Sequence, residues 1–404
     1  MQSGSSPAAT SVTVSRLELR DFRCHRRFRL ELGPGPVVLI GGNGTGKTSI
    51  LEALSLLAPG RGLRRARLGE MIRSESGTAA DGWSMRVRLG TPGGPTDVDT
   101  VYARECVPAA RERLRASLDG QPLRSRAALA DIAGVIWLTP DMDRLFTEAP
   151  SGRRRFLDRV VWGVDAAHAA RVAAYERAMQ QRSALLRQDA PDTGWLAALE
   201  ETMAELGIAV AAARRLVAAQ LSAITGAPTG AFPSAVVDTR GAVEGWLDEG
   251  PALHAEERLR EALAASRSID ARSGGATVGP HRSDVTVRQG STGRPADACS
   301  TGEQKMLLIA LVLAGARLQR IERGAGPLLL LDEVVAHLDA RHRGAVFETV
   351  DELSAQAWYA GTDRAPYRPL EGHAQFVTID PAGDVSGSTA GEPAGTAIRS
   401  LSDD

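Results

Sequence analysis

The segment Gly41-Gly42-Asn43-Gly44-Thr45-Gly46-Lys47-Thr48 fits the pattern G-x-x-x-x-G-K-[ST]. It follows the apolar run Val37–Ile40 and precedes a helical stretch, Thr48–Leu57. A buried strand, a glycine-rich loop and a helix in that order leave few folds open. Glycines let successive backbone N–H groups curl around an anion without Cβ clashes. The helix that starts near Thr48 aims its positive end at the same anion. Gly41 to Gly46 thus form a backbone cradle for a nucleotide. Lys47 is placed to reach the β- and γ-phosphates, and the Thr48 hydroxyl to ligate Mg²⁺.

Lysine is otherwise almost absent. Of 48 basic residues, 46 are Arg and two are Lys, Lys47 and Lys305. Lys is a point charge on a flexible stem and Arg a planar fork, so a Lys that persists amid such a bias marks a place the fork does not serve. Lys305 ends Ser300-Thr301-Gly302-Glu303-Gln304-Lys305, which stands before a helical pattern, Glu303–Arg323, and 32 residues ahead of Asp332. Ser300, Gly302 and Gln304 resemble the S-x-G-x-Q signature of ATP-binding-cassette proteins. There a Ser side chain and Gly backbone at a helix N-terminus face the γ-phosphate bound by a second subunit. The plainer reading of this turn is a Ser N-cap. Leu328-Leu329-Leu330-Leu331-Asp332-Glu333 reads as a buried strand ending in adjacent carboxylates. Asp332 is expected to hold Mg²⁺ through water. Glu333 is expected beside the γ-phosphate, accepting a proton from the attacking water.

A length of 404 residues suggests two to three domains. Strands are expected at Val12–Arg20, Phe28–Leu32, Val37–Ile40, Trp83–Leu89, Val98–Ala103, Val135–Leu138, Val285–Val287, Leu328–Leu331 and Ala357–Ala360. The middle is helical: Arg153 to about Arg187, then Trp195–Ile224 with Leu196, Leu199, Met203, Leu206 and Val210 stepping by three or four, then Leu253–Ala265. This block predicts either an antiparallel helical arm or a plain helical bundle, inserted into an α/β lobe. The expected divisions are a disordered tail over 1–11, an ATPase half over 12–150, the arm over 151–268, a second ATPase half over 269–381 and a disordered acidic tail over 382–404.

Several classes are set aside. No run of about 18 apolar residues is present, so no membrane partner is expected. The N-terminus lacks the basic start and apolar core of a secretory signal. Cys24, Cys106 and Cys299 are few, odd in number and far apart, which suits a reducing cytoplasm. The seven His show no ligand spacing with Cys, so no zinc site is expected. His281-Arg282 is either a structural loop or a group near the nucleotide or a dimer contact.

The net charge of −1 hides an asymmetry: Arg16–Arg73 holds eleven Arg and one Lys against five acids, a local +7. Such a face binds phosphate backbones by counterion release. Arg61, Arg64, Arg65 and Arg67 are candidate DNA contacts, against a reading as solvated surface. Arg153–Arg155 read either as DNA contacts or as an internal brace of the ATPase lobe. Aromatic residues make up only 4%, too few for stacking platforms, which favours tracking of duplex or junction DNA.

The chain resembles the RecF family of bacterial recombination mediators. The resemblance rests on LELRDFRCHRRF ending at Phe28, the Gly41–Thr48 loop, Arg153–Arg159 (RRRFLDR), Gly279–Asp284 (GPHRSD), Ser300–Leu311 (STGEQKMLLIAL) and Leu328–Asp339 (LLLLDEVVAHLD). It implies an α/β fold, an ABC-ATPase head (a P-loop NTPase with a mixed sheet and helices) carrying an inserted α-helical arm. It further implies ATP and Mg²⁺ as cofactors, slow hydrolysis, an ATP-dependent homodimer, and binding of DNA at gaps, at single-strand–duplex junctions or on single strands. Cooperation with RecR and RecO in loading RecA, and support of the SOS response, follow from the same resemblance. Leu338-Asp339 matches the loop that crosses the dimer interface. One departure is that Gly361-Thr362-Asp363 replaces the usual switch His of the wider superfamily. The competing reading is another SMC-like or ABC-class head, acting as an ATP-gated scaffold or as a transporter ATPase.

Overall fold

The computed structural model describes residues 11–75, 78–104, 114–123, 125–226, 231–380 and 385–388. The chain divides into two compact units, one within 1–142 and 315–404 and one within 143–314. In chain order the first unit opens with β1 (Thr13–Phe22), β2 (His25–Glu31), β3 (Val37–Ile40), α1 (Lys47–Ser55), β4 (Ser74–Glu75), β5 (Thr78–Ala79), β6 (Gly82–Thr91), β7 (Gly94–Ala103), β8 (Leu114–Leu118), β9 (Gln121–Pro122), α2 (Leu129–Ile132) and β10 (Val135–Leu138). The second unit holds α3 (Pro150–Val164), α4 (Ala167–Leu185), α5 (Thr193–Gly226), β11 (Ala235–Arg240), α6 (Ala242–Glu249), α7 (Ala252–Ala265), α8 (Arg267–Ser273) and β12 (Asp284–Gln289). Helix α9 (Thr301–Arg323) begins there and ends in the first unit, which closes with β13 (Leu328–Asp332), α10 (Ala340–Glu352), β14 (Ala357–Gly361), β15 (Gln375–Ile379) and β16 (Val385–Ser388).

The first unit contains two large sheets. One has the order β10-β13-β14-β3-β15-β16, with the first five strands parallel and β16 antiparallel at the edge. Parallel strands are covered on both faces, so their sequences are unbroken apolar runs such as VIWL and LLLLD. The other has the order β2-β1-β6-β7-β8-β9 and is antiparallel. Its strands alternate because one face is solvated: Leu17, Leu19, Phe28, Leu30, Val87 and Leu89 point inward. A single apolar cluster joins these residues to Ile50, Leu51 and Leu54 of α1 and to Leu39, Leu328, Leu330 and Trp358 of the parallel sheet. Two buried glutamines pin the turn that feeds β3. Gln375 accepts from Gly33 N (2.7 Å) and donates to Gly33 O (3.0 Å), and Gln356 accepts from Val14 N (2.7 Å).

The second unit has its own core, built on Tyr175, Leu185, Leu196, Met203, Leu259 and Leu263. Helices α4 and α5 run antiparallel, since Arg182 bonds Glu200 while Tyr175, further back on α4, packs beside Gly207, further on along α5. The middle block is an antiparallel pair, α4 and α5, with α6 and α7 packed against α5. Its limits also differ from the expected arm. The segment around Gly279–Asp284 is tied to the helices by Arg153 to Asp284 (2.8 Å), Arg154 to Ser283 O (2.6 Å) and Arg214 to Pro280 O (2.7 Å), so it joins the second unit. The expected single helix from Arg153 breaks at Asp165, whose carboxylate accepts from Ala167 N and opens α4. Helix α5, with 34 residues, is long and apolar enough by length and composition to cross a membrane. Its apolar positions feed the core instead, and it carries buried Glu200 and Arg214.

Strands β4, β5, β8, β9, β11, β15 and β16 were not expected. Strand β16 pairs with β15 inside the span read as a disordered tail, and Ser11 bridges Gly326, so the expected tails are shorter than 1–11 and 382–404. The rest of both tails, and Cys106, lie outside the described residues.

Two ion networks hold the second unit together. Arg182, fully buried, donates to Glu200 (2.9 Å), Asp270 (2.8 Å) and Leu263 O (2.6 Å). Arg182→Met should therefore destabilise by about 3–5 kcal/mol, because two carboxylates lose their buried partner. Urea unfolding checks this; a loss under about 1 kcal/mol contradicts it. In the second network burial pushes the Asp158 carboxyl up, but Arg214 (2.8 Å) and His168 (2.8 Å) outweigh that and hold it at about 2. A depressed folded value stabilises above the unfolded value near 3.9 and is lost as pH falls through the folded one. Stability should therefore fall by about 2–3 kcal/mol between roughly pH 5 and pH 1 through this group. Asp158→Asn should flatten that part of the stability–pH curve.

Candidate nucleotide site

The loop Gly41–Gly46 leaves β3, which lies between β14 and β15 in the sheet. Two of its glycines have left-handed backbones, Gly44 at φ 82° and Gly46 at φ 99°, where a side chain would be strained. Space is short as well. A Cβ at Gly46 would stand 2.6 Å from His25 Nε2 and 2.7 Å from Cys24 Sγ, and one at Gly41 would run into the Ile379 carbonyl. Thr45 Oγ1 donates to Gly42 O (3.0 Å) and closes the turn, while Gly42, Asn43 and Gly44 are exposed. Lys47 is buried, and its Nζ donates to Gly41 O (2.7 Å) and Gly42 O (2.7 Å). Burial lowers the Lys47 ammonium from its ordinary value, with the Glu333 and Asp332 charges pulling the other way.

Thr48 and Asp332 are 284 positions apart, yet Thr48 Oγ1 donates to Asp332 Oδ1 at 3.3 Å. The order β13-β14-β3 brings the two strand ends to one edge. Burial raises the Asp332 carboxyl, and the Thr48 hydroxyl partly restrains it. The next residue, Glu333, is half-exposed and has φ 53°, a left-handed backbone uncommon for a residue with a side chain. Its amide donates to Ala360 O (3.0 Å). Thr362 and Asp363, in the place of the superfamily's switch His, are exposed, and Asp363 accepts from Ala365 N (3.0 Å).

The β1–β2 turn lies in the LELRDFRCHRRF stretch that carries the resemblance, but the sequence reading gave its residues no part in the site. Asp21 and Arg23 both have positive φ there, and the turn lies against the loop. Arg23 makes a bidentate pair with Glu52 of α1 (2.8 and 2.6 Å), a carboxylate that is fully buried. His25 Nε2 lies 3.3 Å from Gly46 O, and burial lowers its imidazole. The available signal was a Glu at an interior helix position, which requires a cation nearby.

The remaining predicted residues sort as follows. Arg61, Arg64, Arg65 and Arg67 are all exposed. Arg64 stands 3.6 Å from Glu52, and its charge lowers the Asp332 carboxyl, so it belongs beside the nucleotide loop. Ser300 and Glu303 form a reciprocal capping box: Ser300 N donates to Glu303 (2.7 Å) and Glu303 N to Ser300 Oγ (3.4 Å). The N-cap reading of that turn is thus realised. Ser300 and Gly302 are exposed and Gly302 faces open space. Gln304 differs from expectation. It is buried and donates to Cys299 O (2.9 Å), so it holds the preceding turn and is not presented outward. Lys305 pairs with Asp143 (3.4 Å). His281 is a structural loop residue: its Nε2 donates to Ala276 O (2.9 Å) and its Nδ1 accepts from Tyr175 Oη (2.7 Å). Arg153 is a brace, but of the second unit and not of the ATPase lobe as expected: it bonds Asp284 and the carbonyls of Leu145, Phe146 and Glu148.

Residues 13–360 match the family model described as the RecF/RecN/SMC N terminal domain. The DNA replication and repair protein RecF of Mesorhizobium japonicum is 43% identical over 378 residues, covering 93% of this chain and 97% of that protein. The protein of the same name from Brucella abortus is 43% identical over 392 residues, covering 93% and 96%. Among solved structures, the recombination mediator protein RecF with ATPrS superposes with a TM-score of 0.80 at 19% identity, covering 94% of this chain and 99% of that one. An Smc head domain from Pyrococcus furiosus superposes with a TM-score of 0.52 at 14% identity, covering 94% and 96%. The two sheets, the loop on β3 and the carboxylates on β13 are thus the architecture of this group of ATPase heads, and the identity across nearly the whole chain places it in the RecF family of DNA replication and repair proteins.

Proposed function

We propose that the chain binds ATP and DNA as an ATP-driven homodimer, hydrolyses ATP slowly, and acts in the cytoplasm as a mediator of gap repair. On this reading it assists RecA loading and SOS induction together with RecR and RecO. The observation that carries the proposal is the meeting of Thr48 and Asp332 at 3.3 Å beside buried Lys47. A hydroxyl and a carboxylate are hard oxygen donors of the kind Mg²⁺ takes, so Thr48 and Asp332 would hold that ion. When bound, magnesium offsets the charge of the phosphates. Lys47 exchanges its two loop carbonyls for phosphate oxygens. Glu333, half-exposed next to Asp332, accepts a proton from the attacking water. The names of the RecF structures with ATP and ATPrS support the choice of nucleotide.

The solvent face of the antiparallel sheet supports a polyanionic partner. Two cross-strand rows are charge-balanced, by Arg29–Glu18 (3.7 Å) with Arg86–Asp99 (2.6 Å), and by Arg16–Glu31 (3.2 Å) with Arg88–Asp97 (2.9 Å). The third row, Arg27, Arg20, Ser84, Val101 and Arg115, contains no acid, and Arg20 sits directly opposite Arg27. A row rich in guanidinium groups offers donors to a phosphate backbone. Exposed Arg61, Arg65 and Arg67 add to the basic surface of the same unit.

The clamp is tested by measuring binding to gapped, duplex and single-stranded DNA at one stated ionic strength, with ATP and with ADP, alongside mass by light scattering. The wild type should dimerise and hold gapped DNA with ATP and not with ADP. Ser300→Arg should still load ATP as a monomer but fail to dimerise, because added bulk blocks contacts each worth about 1.5–3 kcal/mol. A wild type indifferent to the nucleotide, or a mutant that dimerises normally, refutes the clamp.

Glu333→Gln keeps shape and hydrogen bonding while removing the base. Turnover should fall by about 10²–10⁴-fold with ATP affinity kept, and the ATP-bound dimer should accumulate. Unchanged turnover would show that Glu333 is not the base.

A further inference from the structure

Tyr367 is buried in a short 3₁₀ turn, Ala365–Leu370, directly after β14. Its hydroxyl donates to Ala360 O at 2.9 Å. The same carbonyl accepts the amide of Glu333 at 3.0 Å. The next carbonyl along β14, that of Gly361, accepts the amide of Gly41, the first residue of the phosphate-binding loop, at 3.3 Å. Two consecutive carbonyls at the end of β14 therefore join the acidic strand end to the loop. Above this joint lies the Tyr367 ring. A Cβ at Gly361 would stand 2.6 Å from the ring, so only Gly leaves room for it, and Tyr359 packs against its other side at 5.9 Å between centroids.

Glu333 has φ 53° and needs outside support to keep that backbone. Its amide bond to Ala360 O is one such support, and the carbonyl it hangs from is fixed by Tyr367. We infer that Tyr367 is a positioning residue for hydrolysis: by holding the Ala360 carbonyl through its hydroxyl, it keeps Glu333 in the left-handed conformation that aims its carboxylate. The inference rests on the reading of Glu333 as the base. It assigns a task to the turn that follows Gly361-Thr362-Asp363, where the superfamily's switch His is missing. Burial, and next the Asp332 and Glu333 charges, raise the phenol's ionisation well above the ordinary value, so the group stays a neutral donor at every working pH.

The test uses Tyr367→Phe in the full chain, which deletes one oxygen and keeps the ring over Gly361. Losing one hydrogen bond should lower turnover by roughly 5- to 20-fold. ATP affinity should stay within about twofold and ATP-driven dimerisation should persist. A merely structural role would instead lower affinity, dimerisation and turnover together, and that outcome overturns the proposal, as does unchanged turnover. Glu333→Gln is assayed beside it. If that variant turns over like the wild type, the base assignment fails and this inference with it. If it is inactive while Tyr367→Phe is fully active, only the role of Tyr367 is lost.

Discussion

Everything at the nucleotide site depends on the pairing of three parallel strands, β13, β14 and β3. The loop on β3 and the carboxylates on β13 are separated by most of the chain, including the whole second unit. Register sets their meeting: Asp332 lies opposite Ala360, and Gly361 opposite Ile40. A slip of one residue would turn every side chain of a strand to the other face and move Asp332 away from Thr48. An unbroken apolar run does not fix register by itself, since a slip leaves both faces apolar; the strand ends do, where Asp332 bonds Thr48 and the Glu333 and Gly41 amides bond the Ala360 and Gly361 carbonyls.

The chemistry of the site follows from holding charge in partial burial. Lys47 and Asp332 each feel the other's charge and that of Glu333, and burial shifts Lys47 down and Asp332 up. Both shifts oppose the charged forms, so the site favours any ligand that brings compensating charges of both signs. A polyphosphate with a divalent cation is such a ligand. Behind the loop, fully buried Glu52 holds Arg23 and attracts Arg64, which extends the positive surface toward the same place without leaving an uncompensated charge in the core.

The second unit uses buried ions differently. Its networks around Arg182 and Asp158 join helices to the loops that precede β12 and hold each partner in more than one bond. Such networks add little net stability relative to apolar packing, but each member becomes hard to remove. Their effect here is geometric. The Gly279–Asp284 loop is fixed by Arg153, Arg154 and Arg214 together, and this is why it belongs with the helices and not with the parallel sheet.

Local pattern was enough for much of this protein. The runs VVLI, VIWL and LLLLD read as buried strands and are strands, and the glycines and lysine of the Gly41–Thr48 loop suit a phosphate. The choice between an arm and a bundle was not legible, since a seam of Leu stepping by three or four serves both; only the partners of that seam decide. Strands β8 and β11 were missed because their alternation is short, and β15 because its short buried run shows no period; the status of all three depends on a neighbouring strand. Gln304 looked like a ligand and is a brace, because the direction of one amide depends on which carbonyls the fold places beside it. Residue types and spacing thus determined the class of fold and the kind of anion it takes. The register of β13, β14 and β3, the twisted backbone of Glu333 and the contact of Tyr367 with Ala360 were decided by tertiary structure, because each joins groups that the chain itself keeps apart.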